Sequence, residues 1–444
     1  MPPPLRQSAR ETVTALACSL ALWLTACVSQ GGDWSRTTSE PEENIAPATL
    51  RLVLIGDAGA AGRSATAVAT RIKERLEESQ KEGINSALIW LGDSTTATSM
   101  ASKRGCSPTG SSSASRTKRI RAFAELAEEH RAAGGLNLST VGELDWRCGL
   151  TEFISSRHAG DPGMPCDLDS PSTCLLRQPS LNYIIRLDRQ GSGRVVSSCG
   201  GEPVRCAIEA DDGSGVIDLV VIDSAAWLDP PTDDSSAVLL ADRSLAEERG
   251  LLAALRRTPK SAGPPRLLVS HHPIESSGPH GQGGLWPDSA YFFHDQALQD
   301  AISAGSFAGV LSGHDHSLQV SSDLTPAVQR SSRVWLPAPV FQVVSGSAGR
   351  GDAGRGPRSW SYYQGISATP EQLSDHPGFA ELTITESRFI IVLHARRRGR
   401  WWTATTTIPR QRDAPTIEAP TPGLEPCLGC DTRSPRVQAL DPEG

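Results

Sequence analysis

The chain is punctuated by short, continuous apolar runs that stop abruptly at glycine, serine or histidine. Leu52, Val53, Leu54 and Ile55 run without a polar break to Gly56-Asp57. Residues 65–82 follow with Ala67, Val68, Ile72 and Leu76 at helical spacing, closing near Gly83. Strand, loop and helix in that order is the opening unit of an α/β layer. The unit recurs: an apolar run over 87–91 reaches Gly92-Asp93, a helix is expected over 118–133, and a run over 138–141 reaches Gly142-Glu143. The pattern then predicts a buried strand at 216–223, a helix at 242–257, a strand at 266–270, a helix at 296–304 and a strand at 308–312. Further strands are expected at 334–346, 379–385 and 389–394, the last two alternating about Glu386-Ser387. Two stretches break this rhythm. Residues 94–117 are rich in Ser, Thr and Gly without a period and are expected to form a mobile loop. Residues 147–213 mix cysteines with Gly, Pro and Asp and are expected to be an irregular, disulfide-tied excursion on the same core.

With Gly 41, Pro 32 and 5% aromatics, the 444 residues describe a loop-rich globular chain rather than a coiled coil or a disordered one. The formal net charge of -7 argues against a nucleic-acid partner. The basic run Arg396, Arg397, Arg398 and Arg400 reads as a solvated hairpin edge. At the N-terminus, Arg6 and Arg10 precede an apolar stretch over 12–26, which has the form of an export signal too short for a membrane span. Leu24-Thr25-Ala26-Cys27 resembles the bacterial lipobox, so Cys27 is the expected lipidation site. The chain is then expected to be an anchored lipoprotein, facing the periplasm or held in the outer membrane, with 28–49 as a flexible tether. The main domain is expected over 50–409 and a Pro-rich tail over 410–444. Of 10 cysteines, Cys18 leaves with the signal and Cys27 takes the lipid. The rest allow disulfides, mostly local, including a small loop at Cys427 and Cys430.

The ends of the apolar runs carry the chemistry. In order they read GDAG at 56–59, GDS at 92–94, GELD at 142–145, SHHP at 270–273 and GHDH at 313–316. Asp57, Asp93, Glu143, His271, His314 and His316 are thereby candidate metal ligands at strand ends. Singly, an Asp after a strand is a turn residue or a helix cap. In series, carboxylates and imidazoles suit Fe, Mn or Zn better than Ca or Mg. A carboxylate shared between two ions about 3.5–4 Å apart gives a binuclear centre suited to phosphoester hydrolysis.

With these motifs the chain resembles the calcineurin-like metallophosphoesterases, and within them the purple or tartrate-resistant acid phosphatases. The family pattern is GDxG, GDxxY, GNH(D/E), a His before an apolar-Pro step, and GHxH. The likeness extends through Asn182-Tyr183, 217–227, 313–319, 343–349 and 378–385. It implies an α/β fold of mixed sheets, a four-layer α/β/β/α sandwich with a dimetal centre at the sheet edges. By the same resemblance, Asp57 and His316 hold the first ion, Asp93 bridges, and His271 and His314 hold the second. His280, nine residues after His271, corresponds to a histidine that faces the substrate phosphate; His272 reads as structural. Three positions depart from the pattern. Thr96 replaces the tyrosine ligand, so no purple charge-transfer colour is expected. Glu143 replaces a neutral asparagine ligand, and Leu144 replaces a histidine acting at the leaving group, a catalytic role that Glu143 is the candidate to take over. Two readings therefore stand: an exported metal-dependent phosphoester hydrolase with an altered site, or a catalytically degenerate member acting as a binding or structural surface lipoprotein.

Overall fold

In the computed structural model the apolar runs become the strands of two face-to-face sheets. The structure describes residues 48–58, 63–93, 113–147, 180–210, 212–228, 235–258, 263–274, 276, 296–325, 339–349, 372–374 and 376–410. The first sheet has six strands. It is built around β1 (Leu50–Ile55), β2 (Ser86–Leu91) and β3 (Leu136–Thr140), which run parallel. The second has eight strands, including β4 (Tyr183–Asp188), β5 (Gly193–Val195), β8 (Gly215–Val221), β9 (Arg266–Val269), β10 (Gly309–Ser312), β11 (Leu318–Ser321), β12 (Phe341–Ser345) and β13 (Gln372–Ser374). β8, β9, β10 and β12 are mutually parallel, and β4 and β11 pair antiparallel at either side of them. Completing the first sheet, β14 (Gly378–Ile384) pairs antiparallel with β1, and β15 (Arg388–Arg397) and β16 (Arg400–Pro409) extend it as antiparallel neighbours. The β15–β16 turn carries Arg398 and Gly399, as the basic run suggested, and both have positive φ.

The period of two along each strand sorts its side chains between layers. Leu50, Leu52 and Leu54 of β1 meet Leu219, Val221, Leu267 and Val343 of the second sheet in the central core. Val53 and Ile55 point the other way, onto α1 (Ala65–Lys81) and α2 (Ser113–Ala132). On the far side, Val220, Leu268 and Val310 pack against α5 (Ser235–Arg257), which follows the short α4 (Ala225–Leu228) in the chain, and α6 (Gln296–Ser303). Both faces of the central strands are covered, which is why the runs are continuously apolar rather than alternating. Each fully buried Leu or Val contributes about 1.5–3 kcal/mol. The result is a four-layer α/β/β/α sandwich of mixed sheets. Among the described residues, no helix is long and apolar enough to cross a membrane.

α1 forms because Ala65, Val68, Ala69 and Ile72 bury one helical stripe. It ends in a Schellman turn: Gly83 N–H donates to Gln80 O at 3.1 Å and Ile84 N–H to Ser79 O at 2.9 Å, with Gly83 at φ 70°. α2 begins earlier than its period predicts, because its first turn, from Ser113, is polar and shows no apolar spacing. α5 also starts early, at Ser235. Its leading Val238 and Leu239 are exposed and so do not mark a buried face.

The main difference from expectation lies in 147–213, whose second half is regular. β4 is a buried strand of the second sheet, and Tyr183 O–H reaches across to donate to Ser139 O at 3.0 Å. β6 (Ser197–Gly200) and β7 (Arg205–Ile208) form a hairpin closed by a disulfide between the directly paired Cys199 and Cys206. The other cysteine positions, the signal, and the tether and tail apart from residues 48, 49 and 410 lie outside the described residues. β4 is locked to β8 by Arg186, whose guanidinium makes two hydrogen bonds, 2.8 and 3.0 Å, to the fully buried Asp218. Asp218→Ala strands that guanidinium and is expected to lower unfolding stability by about 3–5 kcal/mol. Denaturant titration checks this, and an unchanged midpoint would place β4 outside the cooperative core.

Candidate metal centre

Because β1, β2, β3, β8, β9 and β10 all run the same way within their sheets, the residues directly after their ends gather where the two sheets meet, the usual place for a site in open α/β sheets. Asp57 follows β1 by two residues, Asp93 follows β2, Glu143 follows β3, His271 and His272 follow β9, and His314 and His316 follow β10. At four of these positions the chain takes a left-handed backbone: Asp57 at φ 56°, Asp93 at 50°, His314 at 64° and His316 at 38°. Among the described residues the only other non-glycine case is Arg398, in the hairpin turn. Each such residue costs about 1–3 kcal/mol and persists only where the surroundings hold it.

The side chains converge. His271 donates its Nδ1–H to Leu91 O at 2.7 Å, across the two sheets, which turns Nε2 toward Glu143 Oε2 at 2.6 Å and Asp93 Oδ1 at 3.8 Å. His314 Nδ1 stands 3.4 Å from the same Glu143 oxygen, and His272 Nε2 stands 3.7 Å from it. His316 Nε2 is 3.5 Å from Asp57 Oδ1. Donor atoms of Glu143, His271, His272 and His314 all lie within 4.8 Å of one another, as do those of Asp57, Asp93 and His271. All six residues singled out from the sequence are thus brought together, and His272 joins them. Asp57, Asp93 and His271 are buried at the base; the side chains of His314, Glu143 and His316 are 11%, 17% and 21% exposed at the mouth.

The electrostatics are those of a site with surplus negative charge. Burial pushes Asp93 well above the usual carboxylate range, and Glu143, Asp57 and Asp145 add to that push while His271 opposes it. Burial alone would lower His271, yet Glu143 and Asp93 outweigh it and hold the imidazole well above its ordinary value. Burial would raise Glu143, but His271 and His314 prevail and keep it ionised. Both shifts favour the protonated forms of Asp93 and His271. Neither carboxylate oxygen of the buried Asp57 accepts a hydrogen bond from any described residue, and an unsatisfied buried carboxylate is costly. Mixed carboxylates and imidazoles aimed at one space fit divalent or trivalent cations, whose binding displaces such protons.

A supporting shell sets these positions. Gly142 precedes α3 (Glu143–Arg147), and its N–H donates to the Asp145 carboxylate at 3.0 Å, so Asp145 caps the helix that presents Glu143. Trp146 Nε1–H donates to Asp223 at 3.1 Å, and Ser244 and the Ala226 N–H donate to the same buried carboxylate. Burial holds Asp223 up at about 6 despite these donors. Ser224 Oγ lies 3.0 Å from His272 Nδ1 and accepts the His272 N–H at 3.1 Å. The sequence assigns no role to Asp145, Asp223 or Ser224, and His272 reads there as structural. The acidic residue three past Gly142 was the one legible signal, a capping spacing. Two close approaches require glycine: a Cβ on Gly92 would fall on the His271 ring, and one on Gly142 on the Asp93 carboxylate.

His280, Thr96 and Cys27 lie outside the described residues, as does the side chain of Leu144. No family model matches the sequence, and no curated protein matches it. Among solved structures the chain is similar to GAP50, titled the anchor in the inner membrane complex of Plasmodium, at 13% identity and TM-score 0.47, over 81% of this chain and 89% of that one. It is also similar to PhoD, at 14% identity and TM-score 0.43, over 83% of this chain and 70% of that one. Likenesses at this level assign no residue a role.

Gly142→Ala forces a methyl group onto Asp93 at the centre of the cluster. It is expected to weaken metal retention by about tenfold or more, the effect of disturbing a ligand's support. Competition against a chromogenic chelator reads this directly, and wild-type affinity in the variant would show that Asp93 is not where the ions sit.

Proposed function

We propose that this chain is a metal-dependent phosphoester hydrolase with a binuclear centre at the seam of its two sheets. The observation that carries this reading is Asp57: a carboxylate 1% exposed, with no hydrogen-bond donor among the described residues, facing Asp93 and His316. Asp57 and His316 would hold one ion, Glu143, His271 and His314 the other, and Asp93 would be shared. When bound, such a pair of ions binds phosphoryl oxygens and activates water near neutral pH. The residues at the base fix position and exclude water. Those at the mouth, Glu143, His314 and His316, meet the substrate side.

Glu143 is suited to a second task. It sits at the first position of α3 with its side chain 17% exposed on the substrate side, and is proposed to exchange a proton at the leaving group. His280 is proposed to face the substrate phosphate. The partner is a phosphoester and not a nucleic acid, in keeping with the net charge of -7. Thr96 in place of a phenolate makes the loaded protein colourless in the visible charge-transfer region. The lipobox-like Cys27 is proposed as a lipid anchor that places the domain outside the cytoplasm.

One observation favours a second reading. Glu143 and His271 stand 2.6 Å apart and can neutralise each other without a cation, as expected of a degenerate member kept as a binding or structural surface protein. Asp93→Ala separates the two. Loss of hydrolysis of an aryl phosphate in this variant, against an active wild type supplied with Mn, Fe or Zn, is the expected result. An Asp93→Ala protein as active as wild type would sink the dimetal assignment. A wild type inactive on mono- and diesters, but gaining activity with Glu143→Asn and Leu144→His together, would establish the degenerate reading.

A further inference from the structure

We propose that His272 is a further protein donor to the ion held by Glu143, His271 and His314, giving that half of the centre three imidazoles and Glu143 beside the shared Asp93. This rests on the binuclear reading above and extends it. The sequence gives His272 no distinction from a structural histidine packed beside a ligand, and the geometry does. Its side chain is 4% exposed and packs against both neighbours: ring centroids lie 4.9 Å from His271 and 4.3 Å from His314. Its Nε2 stands 3.7 Å from the Glu143 oxygen that His271 and His314 also approach, and its donor atom falls within 4.8 Å of theirs.

The opposite edge of the ring is anchored. Ser224 Oγ meets Nδ1 at 3.0 Å, and the same hydroxyl accepts the backbone N–H of His272 at 3.1 Å. Ser270 fixes the segment further by donating its Oγ–H to His272 O at 2.8 Å. A hydroxyl on one imidazole nitrogen with the other nitrogen aimed into a donor cluster is the arrangement by which proteins orient histidine ligands. Ser224 itself follows β8, so a third strand end of the second sheet contributes to the centre. The two halves then differ in chemistry. Asp57, Asp93 and His316 form an oxygen-rich half, and the Glu143 half is nitrogen-rich. Imidazole suits Zn and Co over Mg or Ca, so the second half is expected to select the softer ions.

The test uses Co²⁺ loading of the full chain, read by ion content, chelator competition and the visible absorption of bound Co²⁺. The wild type is expected to hold about two ions per chain. His272→Ala is expected to lose one of them under competition and to lose part of the visible absorption. Ser224→Ala keeps the imidazole but removes its anchor, and is expected to weaken the same ion by about 10–100-fold. Should His272→Ala fail to fold, Ser224→Ala decides alone. Wild-type ion content, affinity and spectrum in the folded variants would overturn the assignment of His272 while leaving the binuclear reading intact. A wild type that takes up no Co²⁺ would overturn both.

Discussion

One hydrogen bond organises the seam between the two sheets. His271, at the end of β9, donates its Nδ1–H to the carbonyl of Leu91, at the end of β2, at 2.7 Å. That bond ties the sheets together where their strands end and fixes which ring nitrogen faces the cluster. It leaves no room beside it for any residue but glycine at position 92. Other polar bridges reinforce the same end: Thr140 donates to Ile222 O at 3.0 Å, and Ser345 to Leu54 O at 2.8 Å. The apolar core holds the sheets face to face, and these bonds tie them at the edge where the donor residues lie.

Placing Asp57, Asp93 and Glu143 on that seam is expensive. Asp57 and Asp93 sit on backbone that non-glycine residues avoid, as do His314 and His316. The strain of about 1–3 kcal/mol at each is sustained because neighbouring strand ends overdetermine the turns. Asp57 N–H donates to Gly92 O at 3.3 Å, Ala348 N–H to Gly56 O at 3.2 Å, and Gly313 N–H to His271 O at 2.9 Å. Charge is the second cost. Burial and the neighbouring carboxylates raise Asp93, and Glu143 and Asp93 raise His271. Strain and charge point to the same resolution, since a cation satisfies the carboxylates and rewards the turns that aim them.

Much of this was legible in the sequence because the centre is built from strand ends, and a strand end is marked where an apolar run stops. Asp57, Asp93, Glu143, His271, His314 and His316 each announce themselves in that way. β4 did not, although Tyr183-Ile184-Ile185 is apolar, because the cysteines, glycines and prolines around it resemble irregular chain. His272 reads as structural from the sequence alone. Past the last residue of β9 the chain no longer alternates, and Ser224, remote in sequence, turns the ring inward. Asp223 and Ser224 lie at the end of β8 without a motif of their own. Their roles come from packing against Trp146 and His272, which only the folded chain brings near.

The most direct test of this account is elemental analysis of the full chain, purified from an oxidising compartment without chelators or metal-affinity resin. About two transition-metal ions per chain, absent from an Asp57→Ala Asp93→Ala double variant that keeps its fold, is the predicted result. A wild-type protein that is folded, free of metal as isolated and unable to take up Fe, Mn or Zn would contradict it.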